Sequence, residues 1–300
     1  MQQNRSTIGI LAAASSFVSW GLLPLYWKSL SGVPALEIIC HRVVWSVFCT
    51  GLLLLFTGGF AGMGKTLWTR RSLILLACSA TLIGGNWYLY IWSVNAGHVL
   101  EASLGYYLNP LVNVVLGMAV FRDRLSRTQA LAVGLAACGV AVQLAARGRL
   151  PWIALALAVT FGLYGMVRKL MALDSLPGLF AETLVLALPA GGWLAWLAVA
   201  GQGGLGHLGL GTDMLLVGAG VVTTLPLLAF AFGARRITMT TLGVLQYLSP
   251  TGMLLLGVLV YGESFGTAQA ATFGLIWAGV ILYTVDGLRK LKWLKTEKEA

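Results

Sequence analysis

Charge is scarce in this sequence. Only 10% of its 300 residues are Asp, Glu, Lys or Arg, where a soluble domain carries about 25%, so polar surface is too sparse to clothe a globule of this size. Acidic residues are rarer than basic ones, ten against twenty. The four cysteines, Cys40, Cys49, Cys78 and Cys138, lie in apolar runs without CxxC spacing, which argues against a disulfide framework or a metal site. HExxH and paired intramembrane aspartates are missing, so no enzyme, cofactor or metal site is expected. What abounds is apolar: 58% of the residues, with mean hydropathy +0.84. An integral membrane protein follows. Nucleic acid is a poor partner despite the net charge of +10, because basic excess in a membrane chain reports topology.

A spanning helix needs roughly 20 apolar residues. Ten such runs fall at about 7–27, 36–57, 72–94, 99–121, 128–145, 151–168, 178–200, 213–233, 240–261 and 267–286. With the N-terminus in the cytoplasm, every basic residue except Lys28, Arg42, Arg147 and Arg149 falls on a cytoplasmic segment. The positive-inside rule therefore predicts that both termini are cytoplasmic. The first run, with Trp20, Pro24, Tyr26 and Trp27, reads as a retained span rather than a signal peptide. The tail 289–300, with Trp293 among lysines, suits an anchor on anionic membrane lipid.

The chain repeats itself. Tyr107 to Val140 aligns with Tyr247 to Val280 at a constant offset and without gaps, placing Asn109-Pro110 on Ser249-Pro250, Gly139 on Gly279 and Asp123 on Glu263. Weaker echoes pair Trp20-Gly21 with Tyr164-Gly165 and Glu37 with Glu182. Each copy holds five spans. Five is odd, so the second copy enters the membrane from the opposite side, and the expected architecture is a pair of inverted repeats, as in many secondary transporters. Such a pair presents two related ways of closing a central cavity, and alternating access then needs only a small bias between them.

Pro110 and Pro250 are expected to break equivalent spans, since each lacks a backbone donor and frees a carbonyl that must face protein or a wet cavity. Asn109 and Asn113 flank the first, and Gln246 and Ser249 precede the second, with neutral groups for a substrate. Asn86, Trp87 and Tyr90 supply a further wall at helical spacing. Glu37 and His41 share a helix face, with Arg42 roughly 8 Å deeper than Glu37 by helical rise. Together they predict a polar cluster at the outer gate, with Glu182 as the inner counterpart and a carboxylate available for proton coupling. Spans five and ten, rich in Ala and Gly, predict close helix packing or a homodimer contact.

Several strings resemble the RarD proteins of the EamA group: Glu37 with His41-Arg42-Val43-Val44-Trp45-Ser46, Ile83-Gly84-Gly85-Asn86-Trp87, Leu100-Glu101-Ala102-Ser103-Leu104-Gly105-Tyr106, Asn109-Pro110-Leu111-Val112-Asn113 and Val222-Thr223-Thr224. That group belongs to the drug/metabolite transporter superfamily of bacterial inner-membrane permeases. The resemblance implies an all-α membrane protein of ten transmembrane helices, with EamA repeats at 1–146 and 147–288 and a basic cytoplasmic tail at 289–300. It also implies a secondary permease for a small metabolite, an amino acid-like compound or a drug. An intramembrane enzyme acting on a lipid or small amphiphile, and a non-transporting channel or structural bundle, are the alternatives that the residues leave open.

Overall fold

Residues 2–60, 69–121, 126–171, 173–237 and 239–299 are described by a computed structural model. The basic residues Lys65, Arg122 and Arg124, the repeat position Asp123 and the side chains of the 289–300 tail lie outside the described residues. Helices follow in the order α1 (Gln2–Ser29), α2 (Ala35–Thr57), α3 (Arg70–Asn95), α4 (Val99–Phe121), α5 (Arg127–Arg147), α6 (Trp152–Leu170), α7 (Ser175–Ala200), α8 (Leu210–Ala234), α9 (Met239–Leu245), α10 (Leu248–Leu255) and α11 (Thr267–Glu299). A π-helical turn, Leu256–Val260, continues α10. Among the described residues no strand occurs.

Local chemistry sets the ends. Before α5, Ser126 accepts from the Gln129 N–H while the Gln129 side chain accepts from the Ser126 N–H, so two orphan donors are satisfied reciprocally. After α5, Gly148 at φ +64° takes the left-handed conformation that closes a helix without a Cβ clash. Among the described residues nine helices, α1 to α8 and α11, carry an apolar stretch long enough to span a bilayer. The tenth crossing is α9, α10 and the π turn taken together. It is broken at Gln246–Tyr247.

The two prolines behave differently, which corrects the expectation of matching breaks. The helix is interrupted just before Pro250, which then sits in the first turn of α10, where a missing N–H has no intrahelical partner to forfeit. Pro110, by contrast, lies inside an unbroken α4. There the helix keeps its bonds on either side of the proline and leaves only the Tyr106 carbonyl short of its usual donor.

The inverted five-helix repeats pack reciprocally. α1 lies on α8 as α6 lies on α3, and α4 lies on α6 as α10 lies on α1, while the pairs α2/α7, α5/α11 and α4/α10 map onto themselves. The self-paired contacts carry the symmetry down to single residues. Tyr107 stacks on its own equivalent, Tyr247, with centroids 6.1 Å apart and planes at 15°. A Cβ at Gly139 would stand 3.0 Å from the Thr272 carbonyl oxygen, and one at Gly279 would stand 2.7 Å from that of Ala132. Those are the same two surface positions taken once from each copy. Small residues thus let α5 and α11 meet backbone to backbone.

Candidate functional site

Helix α2 contributes three of the four ionisable Glu, His and Arg residues buried among the described residues. Its N-terminal turns present Glu37, His41 and Arg42, all buried. The expected three-residue cluster does not form, because a helix advances 100° per residue and Arg42 leaves the face shared by its two neighbours. Glu37 Oε1 accepts the backbone N–H of Gly204, in the α7–α8 connection, at 2.6 Å, and stands 3.8 Å from His41 Nε2. Arg42 turns instead between two indole rings, with its guanidinium carbon 4.1 Å from the centroid of Trp87 and 5.2 Å from that of Trp27. Tyr90 and Tyr106 lie close enough to interact with it electrostatically. Nε and Nη1 of Arg42 have no hydrogen-bond partner, and the same holds for the buried hydroxyls of Tyr90 and Tyr261.

The remaining sequence candidates divide. Trp87 and Tyr90 face this arginine, whereas Asn86 points away and donates to the Leu157 carbonyl at 3.0 Å and to Thr160 Oγ1 at 2.9 Å. Asn86 therefore clamps α3 to α6. Asn109 is half-buried, with an unpartnered Oδ1. Asn113 is exposed on the protein surface, so it is not brought into the group around Arg42. Gln246 and Ser249 are half-buried at the α9–α10 break. There the Ser249 backbone presses on Gly21 of α1, where a Cβ would meet the serine carbonyl at 2.9 Å.

Glu182 of α7 is wholly buried. Its carboxylate accepts from Ser79 of α3 and from the Tyr164 hydroxyl at 3.2 Å, and pairs with Arg168 of α6 at 3.6 Å. Two neighbouring helices, α3 and α6, thus converge on one acid of α7 through side chains alone.

Sequence reading missed a second set of acids. Glu263, in the connection between the π turn and α11, accepts the first N–H groups of α4, from Val99 at 2.6 Å and Leu100 at 2.9 Å. Glu101 accepts from Ile153 at the start of α6, at 3.0 Å. Asp213 accepts from Gly206 at 2.7 Å. With Glu37, these make four acids at one end of the bundle: Glu263 and Glu101 meet helix N-termini, where carboxylates are favoured, while Glu37 and Asp213 tie down the α7–α8 connection. Lys28 completes the set by donating to the last carbonyls of α3, Val94 at 3.3 Å and Asn95 at 3.1 Å. Burial pushes the Glu263 carboxyl above its ordinary value, against the N–H groups of Leu100 and Val99, which hold it down. The only advance signal was an acid at each loop edge, which does not name its distant partner.

Between α4, α5, α11 and this stapled end lies a cavity of about 260 Å³, lined by His98, Glu101, Gln143, Arg149 and Glu263 among others. None of the Arg42 group lines it. Among the described residues no group of three His, Cys, Asp or Glu side chains is placed to hold a metal.

Comparison with known proteins fits this geometry. The profile of the EamA-like transporter family matches residues 7–145 and again 150–285. A protein of Vibrio cholerae described as an uncharacterized transporter is 47% identical over 281 residues, covering 94% of this chain and 93% of its own. Protein RarD of Escherichia coli strain K12 is 43% identical, over 96% of this chain and 97% of its own. A solved crystal structure only 20% identical shares the fold, with a TM-score of 0.59 over 92% of this chain and 96% of that one.

Proposed function

The chain belongs to the EamA-like transporter family, and from that premise we propose that it is a secondary carrier of a small metabolite, amino acid-like compound or drug, working by alternating access. The observation that carries the reading is the placement of two polar latches on equivalent helices at opposite ends of the bundle. Glu37 of α2 ties down the α7–α8 connection, and Glu182 of α7 ties α3 and α6. Both are formed in this conformation. Releasing one while keeping the other opens a single end at a time, which is what two inverted repeats make inexpensive.

The end that carries Glu182 also carries the basic segments, which under the positive-inside rule supports reading that end and both termini as cytoplasmic, and the bacterial relatives support an inner membrane. In this reading Glu182 is the coupling group. A proton on its carboxylate would remove the charge that Arg168 answers, and the inner latch would loosen. Reconstituted vesicles test the proposal: a carrier gives saturable exchange of labelled substrate across the bilayer, and Glu182→Gln retains exchange while losing acceleration by a pH gradient. A flux that never saturates, or exchange absent from a metabolite library, would count against it. A reporter fused to Ala300 that is active only outside the cytoplasm would overturn the orientation.

A further inference from the structure

A guanidinium buried without an anion is costly, and proteins keep such groups paired or use them for ligands. Arg42 is 5% exposed, and among the described residues no salt bridge reaches it. The carboxylate one turn away on the same helix, Glu37, is committed to Gly204. Two indole rings lie against the guanidinium carbon of Arg42, Trp87 at 4.1 Å and Trp27 at 5.2 Å, and neither supplies an acceptor. The buried hydroxyls of Tyr90 and Tyr261, also without partners, belong to the same electrostatic group, since Tyr90 interacts with Arg42 and with Tyr261. Only one repeat has this cation: aligning Glu37 with Glu182 sets Ala187 opposite Arg42.

From these contacts we infer that Arg42 is the binding site for a carboxylate of the transported molecule, held by the guanidinium beside Trp27 and Trp87 and by the hydroxyls of Tyr90 and Tyr261. A planar carboxylate matches the planar fork with parallel N–H···O bonds, and the two indoles favour an apolar or aromatic body beside it. The substrate class is thus a small, singly charged carboxylic acid or an amino acid with an apolar side chain. The inference rests on the carrier reading only in calling that molecule the substrate; the anion site itself is independent of transport.

Thermal unfolding of the purified full chain in detergent tests it, with acetate replacing chloride at constant ionic strength, acetamide as the neutral isostere, and 3-phenylpropionate as the acid with an aromatic body. Acetate is expected to raise Tm saturably, acetamide to leave it unchanged, and 3-phenylpropionate to half-saturate at lower concentration. Arg42→Gln loses the response. Should that variant fail to fold, Tyr90→Phe with Tyr261→Phe keeps both rings and is expected to shift half-saturation to higher acetate. No acetate response in the unaltered protein, an equal response to acetamide, or a response retained in a folded Arg42→Gln protein overturns the site. A larger response to inorganic phosphate than to acetate overturns the carboxylate in favour of a phosphoryl ligand. A carboxylate response without exchange in vesicles leaves the Arg42 site standing and removes the carrier reading.

Discussion

Glu37 and Glu182 hold echoing places in the two repeats, yet different chemistry ties them down. Glu37 meets a backbone N–H in a connecting loop; Glu182 meets a hydroxyl, a phenol and a guanidinium from two neighbouring helices. A loop can be released by a change in its own backbone, whereas the Glu182 contacts cannot part without moving α3, α6 and α7 relative to one another. Inverted repeats therefore share an architecture without sharing a lock. The end stapled by Glu37, Glu101, Asp213 and Glu263 is held by carboxylates on backbone donors, and the other is held by side chains whose charges must balance.

The comparison breaks most sharply at Arg168. Arg168→Met strands a buried carboxylate and is expected to cost about 3–5 kcal/mol, read as a fall in the unfolding midpoint. Adding Glu182→Gln should recover much of it. If Arg168→Met were no worse than Glu37→Ala, the two locks would not differ in kind. Glu37→Ala leaves the Gly204 N–H without its acceptor, for a loss of about 1–3 kcal/mol. The neighbouring buried Cys40 then reports the opening, since in a protein whose other cysteines are replaced by alanine, an impermeant maleimide should label it faster.

Overpacking sharpens the comparison at the repeat interface. Gly279→Ala and Gly139→Ala each push α5 from α11, at about 1–3 kcal/mol, and Gly279→Ala should be the worse because its Cβ would stand closer to backbone, 2.7 Å against 3.0 Å. Equal losses would mean that the joint relaxes freely.

The smallest effect is a pH dependence. Burial holds the Glu263 carboxyl above its ordinary 4.5 in the folded state, so its contribution to stability is full below that value and declines as pH rises through the folded pKa. The Tm of the unaltered protein relative to Glu263→Gln should fall across that window. A difference that stays flat would show that the staple does not titrate.

The span count, the repeat and the small-residue joint of α5 and α11 were legible because each is a pattern along the chain: length, offset, glycine spacing. What the chain did not display was direction. Arg42 follows His41 in sequence but faces Trp27 of α1 and Trp87 of α3, and that choice depends on how three helices pack. Asn86 looked like pocket lining until α6 supplied two acceptors for it. Pro110 and Pro250 are identical letters at equivalent places, and only the helix boundary before Pro250 separates their effects.

The joint at Gly139 and Gly279 is a surface meeting its own copy. Two separate five-helix polypeptides inserted in opposite orientations would present the same faces to each other, so covalent linkage is not what creates the contact. Linkage fixes the ratio of the two orientations at one to one and lets the halves diverge. A lone arginine on one side of the axis, with alanine across from it, is a liberty that a symmetric pair of identical chains would not have.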